Sequence, residues 1–331
     1  MKSQPVLVFV IALLLFGTAD CPGEDIVKKN NPKIYSYRGA TRVNNVIDRN
    51  NGVVVTMVHP QSDAFQTVEF VGSSPGTVMP IPGNEFDKCL QVRVAGEELG
   101  NDDLMVFHEY KITLYDIEID FSKITTIRPY DTESLLYQRY TGMDDAPLLN
   151  PSHPEIAQQA KELSSQSTDN LDYAKKAFIW SQNRRLQNPG AGGVSVCVPQ
   201  SRGGGLSGAN AIFVSLLRSG GIPARTVLGR GTDQALRLWS EFYLEGYGWI
   251  PANPSAEVEK ADDPFRYFGT MSFPNRLGEH AKSIVLNHVY GDNTMPIPIE
   301  GAQPVLYSTL GYFIIWGVSN NAGYSLQVKE L

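Results

Sequence analysis

Three cysteines, Cys21, Cys89 and Cys197, are all that 331 residues contain. So sparse and odd a set cannot build a disulfide framework. Cys89 and Cys197 could form one bridge or stay as buried thiols, and the sequence leaves both open. There is no CxxC, no HExxH and no His/Cys cluster at ligand spacing, so neither a metal site nor a cofactor is expected. No lysine- or arginine-rich block exists, and the net charge is −7, which argues against nucleic acid or an anionic membrane as partner. No repeat of fixed period occurs. The longest apolar run covers residues 6–16, too short to span a bilayer, and nothing later matches it, so no transmembrane segment is expected.

That short run is informative in another way. Lys2 precedes it, and Gly17-Thr18-Ala19 follows with small residues where a signal peptidase needs them. Residues 1–19 read as a signal peptide cleaved after Ala19, which places the protein in a secreted or periplasmic compartment. Cys21 offers a lipid anchor as the alternative, but Thr18 and Asp20 fit that signal poorly.

Residues 20–33 are polar and read as a loose leader. From 34 to 145 the signals are strands and turns. The runs 53–58, 65–71 and 89–94 are short and apolar or alternating. In 104–121 the apolar residues lie first on the parity of Val106, His108, Tyr110, Ile112 and Leu114, then on that of Tyr115, Ile117, Ile119 and Phe121. A period of two cannot change phase in a regular strand, so a bulge or bend is expected near Leu114. His108 reads as a half-buried strand residue. The segment reads as an antiparallel β-sandwich.

From 146 to 331 the pattern turns to α+β. Ser152-His153-Pro154-Glu155 has the form of a capping box with serine at the N-cap. Ile156, Ala160 and Leu163 follow at helical spacing. Thr168-Asp169-Asn170 opens a second helix with Leu171, Ala174, Phe178 and Leu186 as its inner face, broken at Asn188-Pro189-Gly190. A third begins at Leu206 or Ser207, with Ala209, Ile212, Phe213, Leu216 and Leu217 on one face. Strands are expected at 226–229, 236–244 and 249–252, with a β-rich tail at 284–290, 312–318 and 325–328.

The motifs that carry chemistry lie in 203–255. They are the glycine loop Gly203-Gly204-Gly205, the helix after it, Gly221-Ile222-Pro223-Ala224-Arg225, Trp239-x-Glu241-x-Tyr243 and Gly246-Tyr247-Gly248-Trp249-Ile250-Pro251-x-x-Pro254. A helix that opens from a glycine loop can lower the pKa of a thiol at its N-terminus, with a base supplied by a neighbouring strand. Together these motifs resemble the transglutaminase-like superfamily in its secreted bacterial form. The resemblance implies a papain-like α+β core and a Cys-His-Asp triad.

Carried over by position, the triad falls on Leu206, Arg237 and Asn253. Leucine has no nucleophile, and arginine stays protonated and cannot act as a base. Asparagine is the mildest of the three changes. The sequence therefore reads as a pseudoenzyme, a binding or structural protein keeping a cleft for peptide, protein or cell-wall glycan. Arg202, Trp239, Glu241, Tyr247 and Trp249 are the candidate cleft residues, although aromatic core packing accounts for Trp239, Tyr247 and Trp249 equally well. The glycine loop with Arg202 could instead hold an anion or carboxylate.

The alternative is an active cysteine protease, amidase or acyltransferase with a relocated nucleophile. Cys197, flanked by valines, reads as a buried strand residue, and Ser207 as a helix cap. No histidine lies between His153 and His280; His280 and His288 fall beyond the motifs. Gly203-x-Gly205-x-x-Gly208 matches a dinucleotide fingerprint in letters only, because no acidic residue follows at the required distance. Arg237 has Glu241 four residues along the same strand face as a natural ion-pair partner.

Overall fold

One long strand ties the two halves of the molecule together. The computed structural model describes residues 26–43, 52–58, 60, 62–79, 89–99, 103–142, 149–187, 208–230, 236–255, 265–272, 275–279, 304–307, 313–316 and 322–331. Within it, β6 (Leu104–Ile119) buries alternate residues from Leu104 to Leu114, then Ile117 and Ile119. The expected phase change is present, but β6 itself runs on. The extra residue sits in its antiparallel neighbour β1 (Val27–Val43), which steps from Asn30 to Lys33 while β6 steps from Asp116 to Leu114. Asn31 takes a left-handed φ of 49° there. Successive side chains point to opposite faces of a strand. The first part of β6 packs among β-sheets on one face, and Ile117 and Ile119 join a helical core on the other. Two cores on opposite faces thus produce the phase flip.

β1 also claims much of the stretch read as a loose leader. Its first residues are exposed on both faces, so no alternation marks them in the sequence. Pairing with β6 places Lys28 opposite Glu118. Lys28 lies 3.3 Å from Asp120, and the Asn31 amide donates to Asp116 at 2.9 Å.

Beside β6 and β1 lie β3 (Gln66–Ser74), paired to β6, and β14 (Ala322–Glu330), paired to β1. A second sheet runs β12 (Pro304–Tyr307), β13 (Phe313–Trp316), β2 (Val53–Val58), β5 (Cys89–Val94), β4 (Thr77–Met79). All its neighbours are antiparallel. The two sheets meet through Val43, Leu104 and Val106 on one side and Val53, Val55, Val92 and Val94 on the other. This is the antiparallel sandwich that the short alternating runs predict.

The tail departs from expectation. Read as part of 146–331, its strands β12, β13 and β14 return to the sheets of the first half, with Ile315 opposite Val55 and Tyr35 opposite Glu330. Alternation identifies a strand but says nothing of its partner. Residues 284–290 lie outside the described residues.

Between those β segments the helices assemble: α1 (Leu135–Thr141), α2 (Pro154–Ser165), α3 (Asn170–Gln187) and α4 (Gly208–Ser219). The capping box at Ser152 is not made. α2 starts one residue later, with His153 at the N-cap and no side-chain cap, because Pro154 fits the first helical position, where its missing N–H costs nothing. Its buried residues are Ile156, Ala160 and Leu163, as the spacing predicts. In α3 the Asp169 carboxylate accepts from the Asp172 N–H at 2.8 Å. The buried face runs through Tyr173, Ala174, Ala177 and Phe178, leaving Leu171 half-buried at its edge; the Leu186 side chain lies outside the described residues.

α4 is buried on every side from Gly208 to Arg218, not on one face alone. α2 and α3 cover one side; β7 (Ala224–Arg230) and β8 (Leu236–Leu244) cover the other. These two strands lie in an antiparallel sheet ordered β11 (Asn275–Glu279), β7, β8, β9 (Gly248–Ala252). A last strand, β10 (Thr270–Ser272), pairs with the end of β6. Ile26, Phe65, Ile117 and Ile119 from the β half share one core with the helices. Among the described residues no helix is long and apolar enough to cross a membrane.

Candidate functional site

The end of α4 shows why the Gly-Ile-Pro-Ala-Arg stretch reads as it does. Gly221 has φ 78°, a conformation that a side chain resists. The Ile222 N–H donates to Leu217 O at 2.9 Å and the Gly221 N–H to Arg218 O at 3.0 Å. That pair of bonds is a Schellman cap, with Ile222 as its buried apolar residue. Gly220 is needed for room: a Cβ there would stand 2.6 Å from the Tyr173 ring. Pro223 then ends the helix, and Arg225 enters β7.

Arg225 faces Glu241 across the β7–β8 pair. Its Nε and Nη2 donate to Glu241 Oε2 at 2.9 and 2.7 Å, and the Trp239 indole N–H donates to Oε1 at 3.1 Å. The guanidinium lies 3.7 Å from the centre of the Trp249 ring, which meets the Tyr140 ring edge-on. Glu241 is 0% exposed and Trp239 4%, so these two candidate cleft residues are enclosed rather than turned to a ligand. Trp249 is half-buried against the Arg225 guanidinium. Arg218, also buried, donates to Ala224 O and Gly142 O at 2.8 and 3.1 Å, tying α4 to β7 and to the end of α1.

Tyr247, the remaining aromatic cleft candidate, serves as an anchor. Its hydroxyl oxygen accepts the backbone N–H groups of Thr125 and Thr126 at 3.2 and 3.3 Å. The Thr126 N–H in particular favours the phenolate and holds the Tyr247 pKa below its ordinary value of 10. A depressed folded-state pKa contributes stability that is complete above the unfolded value and is lost as pH falls through the folded one. The stability of the wild type relative to Tyr247→Phe is therefore expected to rise as pH approaches about 10 from below. Paired urea melts across that range measure it; parallel pH profiles would refute the assignment.

A family model described as the transglutaminase-like superfamily matches residues 148–254. These residues form a transglutaminase-like domain. No curated protein sequence matches the chain. Across both halves its fold is similar to that of a candidate cysteine protease from Cytophaga hutchinsonii, at 11% identity and TM-score 0.51, covering 92% of this chain and 93% of that one. Weaker likenesses link it to the periplasmic domain of TgpA from Pseudomonas aeruginosa (14% identity, TM-score 0.34, 73% of this chain and 95% of that one). A candidate protease from Parabacteroides distasonis ATCC 8503 stands lower (10% identity, TM-score 0.25, 86% and 78%).

In the transglutaminase-like domain the start of α4 meets the first half of β8 and the residues after β9 through a set of buried and half-buried polar groups. Asn210 Nδ2 donates to Leu238 O at 3.3 Å and to Asn253 Oδ1 at 3.4 Å. Asn210 Oδ1 accepts from the Ser240 hydroxyl at 2.9 Å, and its backbone N–H donates to Ser255 Oγ at 3.2 Å. The Ser255 N–H in turn donates to Asn253 Oδ1 at 3.2 Å. Asn253 thus sits at the first turn of α4 with its carbonyl oxygen engaged twice. Arg237 lies on β8 opposite Gly229, one residue before Leu238, and its side chain lies outside the described residues. Cys197, Arg202, Leu206 and Ser207 also lie outside them, as do His280 and His288. His108 lies on β6 as expected, but at 4% exposure it is buried rather than half-buried. Among the described residues no group of three metal-ligating side chains is assembled.

No sequence motif marks Asn210, Ser240 and Ser255 as a buried polar set. One signal was available: a lone amide inside a helix whose other early residues are small or apolar. Burial of such a group demands partners for both its ends.

Proposed function

We propose that the protein is exported and that its transglutaminase-like domain is non-catalytic, acting as a structural or binding framework for peptide or glycan. One observation carries this reading. The fold and its turn residues are kept, while the positions that would hold nucleophile, base and orienting acid hold Leu206, Arg237 and Asn253. Loss of one triad member commonly costs on the order of 10⁴-fold or more in rate, and here two roles have no chemically competent side chain. The geometry at Asn253 supports the reading, since its side-chain oxygen is bonded to the helix start and to Ser255. The arrangement of 1–19 supports export, and Cys89 and Cys197 would then meet an oxidising medium.

The deciding experiment is a sensitive amidase and transamidase assay on the mature protein, whose N-terminus is expected at Asp20. Turnover at the buffer background is the expected result. Turnover abolished by Cys197→Ala would replace this reading with that of a cysteine hydrolase using a relocated nucleophile.

A further inference from the structure

Asn210 is the buried group that the framework reading does not use. It is 1% exposed, and Ser240 and Ser255 beside it are 0% and 4% exposed. Its amide does two opposite things at once. The Nδ2 end donates to two oxygens, Leu238 O on β8 and Asn253 Oδ1 after β9; the Oδ1 end accepts from Ser240 on β8. No other side chain of this length carries a donor of two hydrogens and an acceptor together.

We infer that Asn210 is a positioning residue: it draws Asn253 toward α4 and ties both to Leu238 and Ser240 of β8, holding this end of the domain in one non-catalytic arrangement. The inference rests on the reading of the triad-equivalent positions given above. It adds that the surrounding polar groups anchor the start of the helix. Asn253 Oδ1 receives Asn210 and Ser255 and is turned to the helix start, and the Asn210 N–H, an early donor of the helix, is taken by Ser255 Oγ. A carboxylate placed at 253 would meet those same two donors.

The test uses native-state hydrogen exchange of the full mature chain, read at the Ser255 and Asn210 amides. Asn210→Ala removes both ends of the link, and Asn210→Asp keeps its shape but replaces the donor with a carboxylate facing Leu238 O and Asn253 Oδ1. Both variants are expected to speed exchange at Ser255 at least about tenfold. Asn210→Asp is expected to melt below Asn210→Ala despite being nearly isosteric, because a buried charge facing two acceptors is worse than a small void. Unchanged protection of Ser255 in Asn210→Ala, or wild-type stability of Asn210→Asp, would overturn the inference.

A second arm separates it from the function reading. The triple variant Leu206→Cys, Arg237→His, Asn253→Asp is expected to show no turnover above the wild type. Turnover in the triple variant alone would refute the anchoring role while leaving the wild type's inactivity intact; turnover in the wild type would refute the function reading instead.

Discussion

Glu241→Ala is expected to lower stability by about 3–5 kcal/mol. The reasoning begins with burial. Glu241 is 0% exposed and Arg225 is 7% exposed. Two charges enclosed in this way are tolerable because their hydrogen-bonding capacity is met: Oε2 by two guanidinium donors, Oε1 by the Trp239 indole. Truncating the acid leaves a guanidinium packed on Trp249 and Tyr140 facing an uncharged void, and it strips the indole of its acceptor. Leaving a buried charge unmatched is what costs so much; the net worth of the pair is far smaller. For a chain of this size the thermal midpoint should fall by about 5 °C. Glu241→Gln should fall between Glu241→Ala and the wild type, because it keeps the indole acceptor and loses only the charge. Calorimetry of the two variants checks this ordering. An unchanged midpoint for Glu241→Ala would mean that Arg225 finds full compensation elsewhere.

Phe268→Ala is expected to cost a comparable amount, about 3–5 kcal/mol. Phe268 is 3% exposed and its ring contacts four others, those of Phe121, Phe178, Phe242 and Phe265. Those rings come from the segment after β6, from α3, from β8 and from the turn before β10. No single neighbour can move into the space without leaving the others, so the void persists and adds its own penalty. A further outcome follows from where the ring sits. β6 and the helices share one core, so denaturant unfolding of the variant should keep a single transition, with the tryptophan signal and the far-UV signal falling together. Two separated transitions would show that the halves melt independently and that the shared core contributes little.

These expectations depend on contacts that were legible in the sequence to unequal degrees. α2, α3 and α4 could be read because helical spacing is local: Ile156, Ala160 and Leu163 announce a buried stripe without reference to anything distant. The cap at Gly221 was legible for the same reason. Strands β7 to β9 were marked by their composition, and the motifs of 203–255 indicated the transglutaminase-like domain. The start of β1 was invisible because a strand exposed on both faces has no alternation to show. The tail shows its strands in the sequence but not their partners, since pairing between Tyr35 and Glu330 leaves no trace in either segment alone. At the proposed site, Leu206 and Arg237 are reached only by counting from Gly221 and Trp239. What could not be counted was the direction in which Asn253 turns, because that depends on Asn210, more than forty residues away in sequence.

The return of β12, β13 and β14 also bears on the order in which the molecule can form. The transglutaminase-like segment is, in chain terms, an insert: the polypeptide leaves the sandwich after β6, touches the end of β6 again through β10, and adds further strands to the two sheets from β12 on. Helices built from near neighbours can condense early, whereas β1 must wait for β14, the last strand described, before that edge of its sheet is complete. Until then β1 presents an unpaired row of backbone donors and acceptors to whatever is nearby. Assembly of this protein is therefore most exposed to error at its sandwich, and its inserted domain is the part that can be whole first.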